Sequence, residues 1–189
     1  RDSFNRGTEF ALALTLPAAV ALMVIALPLT SVLYQRGAFG PDDTAATALV
    51  LAIYGAGLPA FVLHKTLQPL FYAREDARSP FRYALNSMVV NLAIAVGLMP
   101  YIGFAAAALA TTVAGWTMAA QLWFGARHMG DASRFDDRFR NRAPRIVAAS
   151  LVMGLALAAA TVVLGGVLAS PGWRYGGLAL LIAIGIVTY

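Results

Sequence analysis

Residues Tyr54–Arg82, YGAGLPAFVLHKTLQPLFYAREDARSPFR, decide how this chain is read. The run holds an apolar helix interrupted by Gly55, Gly57 and Pro59, the only lysine of the sequence, Lys65, and a short basic turn, REDARSP. A long apolar helix that ends in a charged reversal is the pattern of a membrane span turning at the polar face. Composition agrees. Of 189 residues, 60% are hydrophobic and 12% charged, about half the charged share of an average soluble domain. A soluble globule of this size has too little interior to hide so much apolar surface. The expected class is an all-α helical membrane protein.

Six apolar segments follow one another: Phe10–Tyr34, Ala45–Phe71, Tyr83–Tyr101, Phe104–Gly125, Ile146–Ala169 and Trp173–Tyr189. Each is near the roughly 20 residues that cross a hydrocarbon core of about 30 Å, which predicts six transmembrane helices. A basic loop, 129–145, divides them into four helices in 1–128 and two nearly featureless apolar helices in 146–189. The chain opens on the polar run RDSFNRGTE without an initiator Met and stops inside an apolar run. An excerpt of a longer protein, with its sixth helix truncated, is the expectation.

The loops carry the orientation. Eleven arginines (Arg1, Arg6, Arg74, Arg78, Arg82, Arg127, Arg134, Arg138, Arg140, Arg142 and Arg145) flank the spans on one side, against Arg36 and Arg174 on the other. Basic loops stay on the cytoplasmic face, so both ends of the chain are expected there. These arginines explain the net charge of +5 and form no aromatic-interleaved basic face for nucleic acid. With no cysteine, disulfides and thiolate metal sites are excluded. All nine acidic residues lie outside the apolar segments, so no carboxylate at membrane depth is available to relay protons. His64 and His128 fall on different elements, no nucleophile, base and acid occur together, and no phosphate-binding glycine loop is present. An enzyme is not expected. Transport, or passive scaffolding in a membrane complex, remains.

Within the spans, Pro17 and Pro28 are expected to kink the first helix. On the second, Gly55, Gly57 and Pro59 form a weak point where a helix can bend between two states. Tyr54, Leu58, Phe61 and Lys65 share one helical face, with Gln68 a turn beyond. A lysine at the membrane centre costs about 2.5–3.5 kcal/mol and is kept there for a partner or a function. Lys65 is also within about 9 Å of the helix end, where its stem can snorkel to water. Both readings stand. Arg74, Arg78 and Arg82 in the following turn suit a cationic entrance able to hold phosphate. On the next two helices, Asn91 and Thr111 are candidates to meet and, with backbone carbonyls, to offer oxygen ligands to a small cation such as sodium. The row Gly103, Ala107, Thr111, Gly115 gives Thr111 a packing explanation as well.

LYQRGAF after the first span, GLPAFVLHKTLQPLFYAREDARSP across the second and the polar-flecked helices that follow resemble the MurJ/MviN family of lipid II flippases. The similarity covers about the first 125 residues well; the last two spans match in position and hydrophobicity only. The resemblance implies the C-terminal portion of a fourteen-helix, two-lobe transporter: four helices of the second lobe, then two extra helices that form a possible groove for a polyprenyl tail. It implies export of an undecaprenyl-diphosphate-linked peptidoglycan precursor across the bacterial inner membrane by alternating access, without covalent chemistry. Lys65, with Gln68, Tyr54 and Arg74, would contact that substrate, and Gly55, Gly57 and Pro59 would form the hinge. Asn91 and Thr111 would correspond to part of a sodium site, although Ala95 stands where a carboxylate would be needed; no other cofactor is implied. Membrane lipids are the further partners. A flippase for another lipid-linked oligosaccharide and a non-transporting scaffold are the alternatives.

Overall fold

A computed structural model of the protein describes residues 2–127, 137–170 and 172–189. All of its regular elements are helices: α1 (Asp2–Val24), α2 (Ala26–Tyr34), α3 (Pro41–Tyr72), α4 (Arg78–Ile102), α5 (Ala105–Ala126), α6 (Asp137–Val163), α7 (Gly165–Ala169) and α8 (Arg174–Thr188). Four stretches, Arg6–Val24, Pro41–Tyr72, Arg78–Ile102 and Asn141–Val163, are long and apolar enough to cross a membrane, and α8 is a shorter apolar helix. The chain is a multi-pass membrane protein.

The first apolar segment is two helices, not one. Pro28 has no amide hydrogen for the Val24 carbonyl, and its ring crowds that oxygen. The chain steps out of the helix at Ile25 (φ −102°, ψ 17°) and resumes at Ala26. Bonds from Ile25 to Ala21 at 2.8 Å and from Leu29 to Ile25 at 2.9 Å limit the gap to one residue. Pro17, by contrast, lies inside the unbroken α1.

Gly37, at φ +60°, turns the chain, and α3 starts at Pro41, a residue suited to the first helical position. The Asp43 carboxylate takes up the Gly40 amide at 3.0 Å, and Asp42 and Asp43 complement the positive end of the helix. The 32 residues of α3 span about 48 Å, more than a hydrocarbon core. Its far end gives way to a tight reversal in which Glu75 adopts φ +58°.

The helices follow one another as neighbours in a row with α3 near its middle. One side of α3 meets α1 and α2, the other meets α5, and α4 lies on the far side of α5. Beyond α1 come α6 and then α8. The α5 surface that makes this possible is nearly all small: Ala105, Ala106, Ala108, Ala110, Thr112, Ala114, Gly115 and Ala119 are buried. Two apolar clusters anchor the row. Leu67, Phe71, Leu122 and Ala126 join α3 to α5, and Ile25, Met153, Leu157 and Leu181 join the α1–α2 break to α6 and α8.

α6 begins at Asp137, so 137–145, which reads as loop by its charge, is helical. Phe139, Ala143 and Ile146 recur at helical spacing and line a cavity of about 300 Å³ with Leu12 and Leu16 of α1, Leu63 and Trp123. That contact face carries the helix outward through the arginines. The rest of the loop, including Arg134, and His128 just before it lie outside the described residues. The fifth apolar segment breaks at Leu164, just before the poor helix formers Gly165 and Gly166, which leaves α7 as a separate short turn of helix.

Candidate functional site

α3 presents an open face and a gripped face. Along the open face Thr47, Tyr54, Lys65 and Tyr72 are exposed, while Leu58, Phe61 and Gln68 are half-covered. Tyr54 is 40% exposed. No carboxylate pairs with Lys65 among the described residues. The expected grouping of Tyr54, Lys65 and Gln68 on one face is what the helix gives. Arg74 is exposed in the reversal after α3, nearer the polar face than Lys65.

That reversal is organised by Asp76, whose carboxylate accepts the Ser79 amide of the first turn of α4 at 3.0 Å. The side-chain and backbone hydrogen bonds from Ser79 hold the Asp76 carboxyl below its ordinary value. Arg78 and Arg82 are exposed on the first turns of α4.

The gripped face holds the three residues read as a hinge. Gly55, Gly57 and Pro59 are all buried, and α3 runs through them as one helix. A Cβ on Gly55 would lie 3.1 Å from Leu22 Cβ and 3.3 Å from the Ala19 carbonyl oxygen, so glycine lets α1 approach. A Cβ on Gly57 would lie 3.1 Å from Thr112 Oγ1. Around them α5 reaches the α3 backbone. Thr112 Oγ1 donates to the Ile53 carbonyl at 2.9 Å, and Trp116 Nε1 donates to the Ala56 carbonyl at 3.0 Å. In return His64 Nε2 donates to the Gly115 carbonyl at 2.6 Å; a carbonyl only accepts, which fixes the proton on that nitrogen. Phe61 meets the His64 ring edge-on at 5.8 Å. The roles of Thr112, Trp116 and His64 were not legible in the sequence. The one available signal was the spacing of Thr112 and Trp116, which puts both on one side of α5.

Asn91 and Thr111 do meet. The Asn91 amide donates to Thr111 Oγ1 at 3.3 Å, and that hydroxyl donates to the Ala107 carbonyl at 2.8 Å. The oxygens left to face a cation are the Asn91 Oδ1 and a lone pair of Thr111.

At the end of the bundle that carries most of the arginines, Arg142 of α6 pairs with Glu9 of α1 at 2.6 Å. Arg6 joins them around a cavity of about 320 Å³. Between α1, α6 and α8 runs an apolar cavity of about 300 Å³ lined by Pro17, Ala21, Ile25, Leu157, Leu181 and Tyr189. Beside it the Tyr189 hydroxyl donates to the Ala13 carbonyl at 2.5 Å.

Comparison with known proteins places this geometry. The family model described as lipid II flippase MurJ matches residues 1–184. A probable lipid II flippase MurJ of Rhizobium tropici is 45% identical over 150 residues, covering 79% of this chain and 28% of its own length. A protein of the same description from Rhizobium meliloti (strain 1021) is 44% identical over 153 residues, 81% of this chain and 28% of its own length. Among solved structures, lipid II flippase MurJ in an inward closed conformation superposes with a TM-score of 0.76 at 23% identity. It covers 98% of this chain and 37% of that one, and it establishes the shared fold. The chain thus spans about 28% of the length of the curated relatives it matches.

Proposed function

Because this chain belongs to the lipid II flippase MurJ family, we propose that it forms part of a transporter that carries the undecaprenyl-diphosphate-linked peptidoglycan precursor from the cytoplasmic to the periplasmic leaflet. The observation that carries the reading is the place of Lys65. It is an exposed cation on the open face of a helix whose opposite face is packed, seven residues, or about 10 Å, from the end that leads into the Arg74 reversal. A diphosphate is the complementary ligand. Gln68 and Tyr54 add hydrogen-bonding groups on the same face, and Arg74 offers a first contact at the polar end. Transport of this kind needs no bond broken in the substrate, only a charged surface presented to one side and then the other.

The positive-inside asymmetry supports an arrangement in the bacterial inner membrane with the Arg74–Arg82 reversal, the start of α6 and both chain ends on the cytoplasmic side. The apolar cavity between α1, α6 and α8 suits the isoprenoid tail, because its walls offer a hydrocarbon chain dispersion contacts without polar groups to desolvate. The test is complementation. The full-length parent protein, expressed in bacteria depleted of their own lipid II exporter, is expected to restore growth and clear precursor from the cytoplasmic leaflet. Lysis with accumulating precursor, despite normal insertion, would overturn the substrate.

A further inference from the structure

Three hydrogen bonds from a side chain of one to the backbone of the other join α3 to α5 between Ile53 and His64. That is the stretch holding Gly55, Gly57 and Pro59. Pro59 has no amide hydrogen, so the Gly55 carbonyl loses its helical partner, and the ring pushes nearby carbonyls off the axis. In an apolar medium such oxygens need donors from a neighbouring helix. Thr112 and Trp116, one turn apart on α5, are donors at that level; they reach not the Gly55 oxygen but the Ile53 and Ala56 oxygens on either side of it, at 2.9 and 3.0 Å. Below the proline the direction reverses: His64 of α3 donates to Gly115 at 2.6 Å. Lys65 is the next residue, about 100° further round the helix. With His64 held against α5, Lys65 leaves α3 toward its open face.

We propose that Thr112, Trp116 and His64 are positioning residues for Lys65, tying α3 to α5 so that the Gly55–Pro59 stretch moves with α5 and does not bend on its own. The inference rests on the reading of Lys65 as the contact to the substrate diphosphate. It gives the glycines and proline a role other than a free hinge: they let α5 come close enough for its side chains to reach the α3 backbone.

The interface offers its own test. Ala60 Cβ lies 3.8 Å from a Cβ built on Gly115, inside the usual disulfide range of about 3.5–4.5 Å, and the chain has no cysteine of its own. The full-length parent protein is given Ala60→Cys and Gly115→Cys, with and without Thr112→Val and Trp116→Phe. Reduced protein lacking both donors is expected to export about fivefold less precursor at normal abundance. Forming the disulfide should return it to within about twofold of the unsubstituted protein, since a covalent tie replaces the lost hydrogen bonds. With both donors present, oxidation should leave export unchanged. Arrest on oxidation, reversed by reductant, or failure of the disulfide to rescue, would overturn the proposal. Export by the unsubstituted protein, followed in parallel, tests the transport reading separately.

The tie is also read without transport and without touching the interface. Nitroxides at the exposed Thr47 and Ala120 should give one sharp separation, broadened by Thr112→Val and Trp116→Phe. Equal distributions in the two proteins, or a change of about 5 Å between inward- and outward-facing states with the donors intact, would also overturn it.

Discussion

The Tyr83 hydroxyl of α4 lies against Gly125 of α5, 2.5 Å from where a Cβ would stand. The same ring meets Phe71 of α3 edge-on at 6.0 Å and 84°. Three helices therefore converge on one missing side chain, at the end where α3 hands over to α4. Gly125→Ala must push the Tyr83 ring aside and disturb Phe71, which is 1% exposed. The expected cost is about 1–3 kcal/mol, the usual range for overpacking. Thermal unfolding in detergent measures it, and Tyr83→Phe, which removes the clashing oxygen, should recover part of the loss.

Asp76 makes the α3–α4 reversal pH-sensitive. Its carboxyl is held below the ordinary value by the hydrogen bonds from Ser79, so the folded state favours the ionised form. The stabilisation is therefore complete above the ordinary carboxylate value and is lost as pH falls through the lower, folded one. Hydrogen exchange at the Ser79 amide, corrected for intrinsic rate, should show protection at neutral pH that declines in acid. Asp76→Ala should show weak protection throughout.

The pair Arg142–Glu9 joins α6 to α1 at 2.6 Å, but the Arg142 side chain is 49% exposed. Solvent and salt screen it, so a double-mutant cycle on Arg142→Ala and Glu9→Ala should return a coupling of about 1 kcal/mol or less, falling as salt is raised. A larger, salt-independent coupling would mean that the pair is buried in the assembled protein.

Asn91 and Thr111 form the contact that would be reorganised if the cycle used sodium. The Asn91 amide would have to turn its oxygen toward the ion, giving up the 3.3 Å donation to Thr111. Sodium binding then predicts a melting temperature higher in sodium than in potassium chloride, with the difference abolished by Thr111→Val. Equal melting in both salts would assign the pair to helix packing.

The helices were legible because hydropathy sustained over twenty residues is a strong signal, and the break at Ile25 was announced by Pro28. The start of α6 was not. Charge in 137–145 reads as loop, while the period of Phe139, Ala143 and Ile146 that keeps it helical is visible only once α1 is known to lie opposite. The same limit applied at the candidate site. Tyr54, Lys65 and Gln68 share a face by spacing alone, and the structure keeps that face open. Glycine, however, serves a bend and a close contact by the same absence of a side chain, so Gly55 and Gly57 look alike in sequence under either role. Which helix lies against them, and therefore that Thr112 and Trp116 reach the α3 backbone, is tertiary information.

The central claim is that Lys65 meets the substrate. It is tested most directly by measuring precursor that reaches the outer leaflet in cells whose only lipid II exporter is the full-length parent protein, with Lys65 intact or replaced. Lys65→Ala is expected to lower export about tenfold or more at unchanged abundance, the loss of roughly 1.4 kcal/mol or more of charge-assisted contact, with Lys65→Arg retaining most of it. Full export by Lys65→Ala would contradict the account and leave the lysine a side chain that merely snorkels to water.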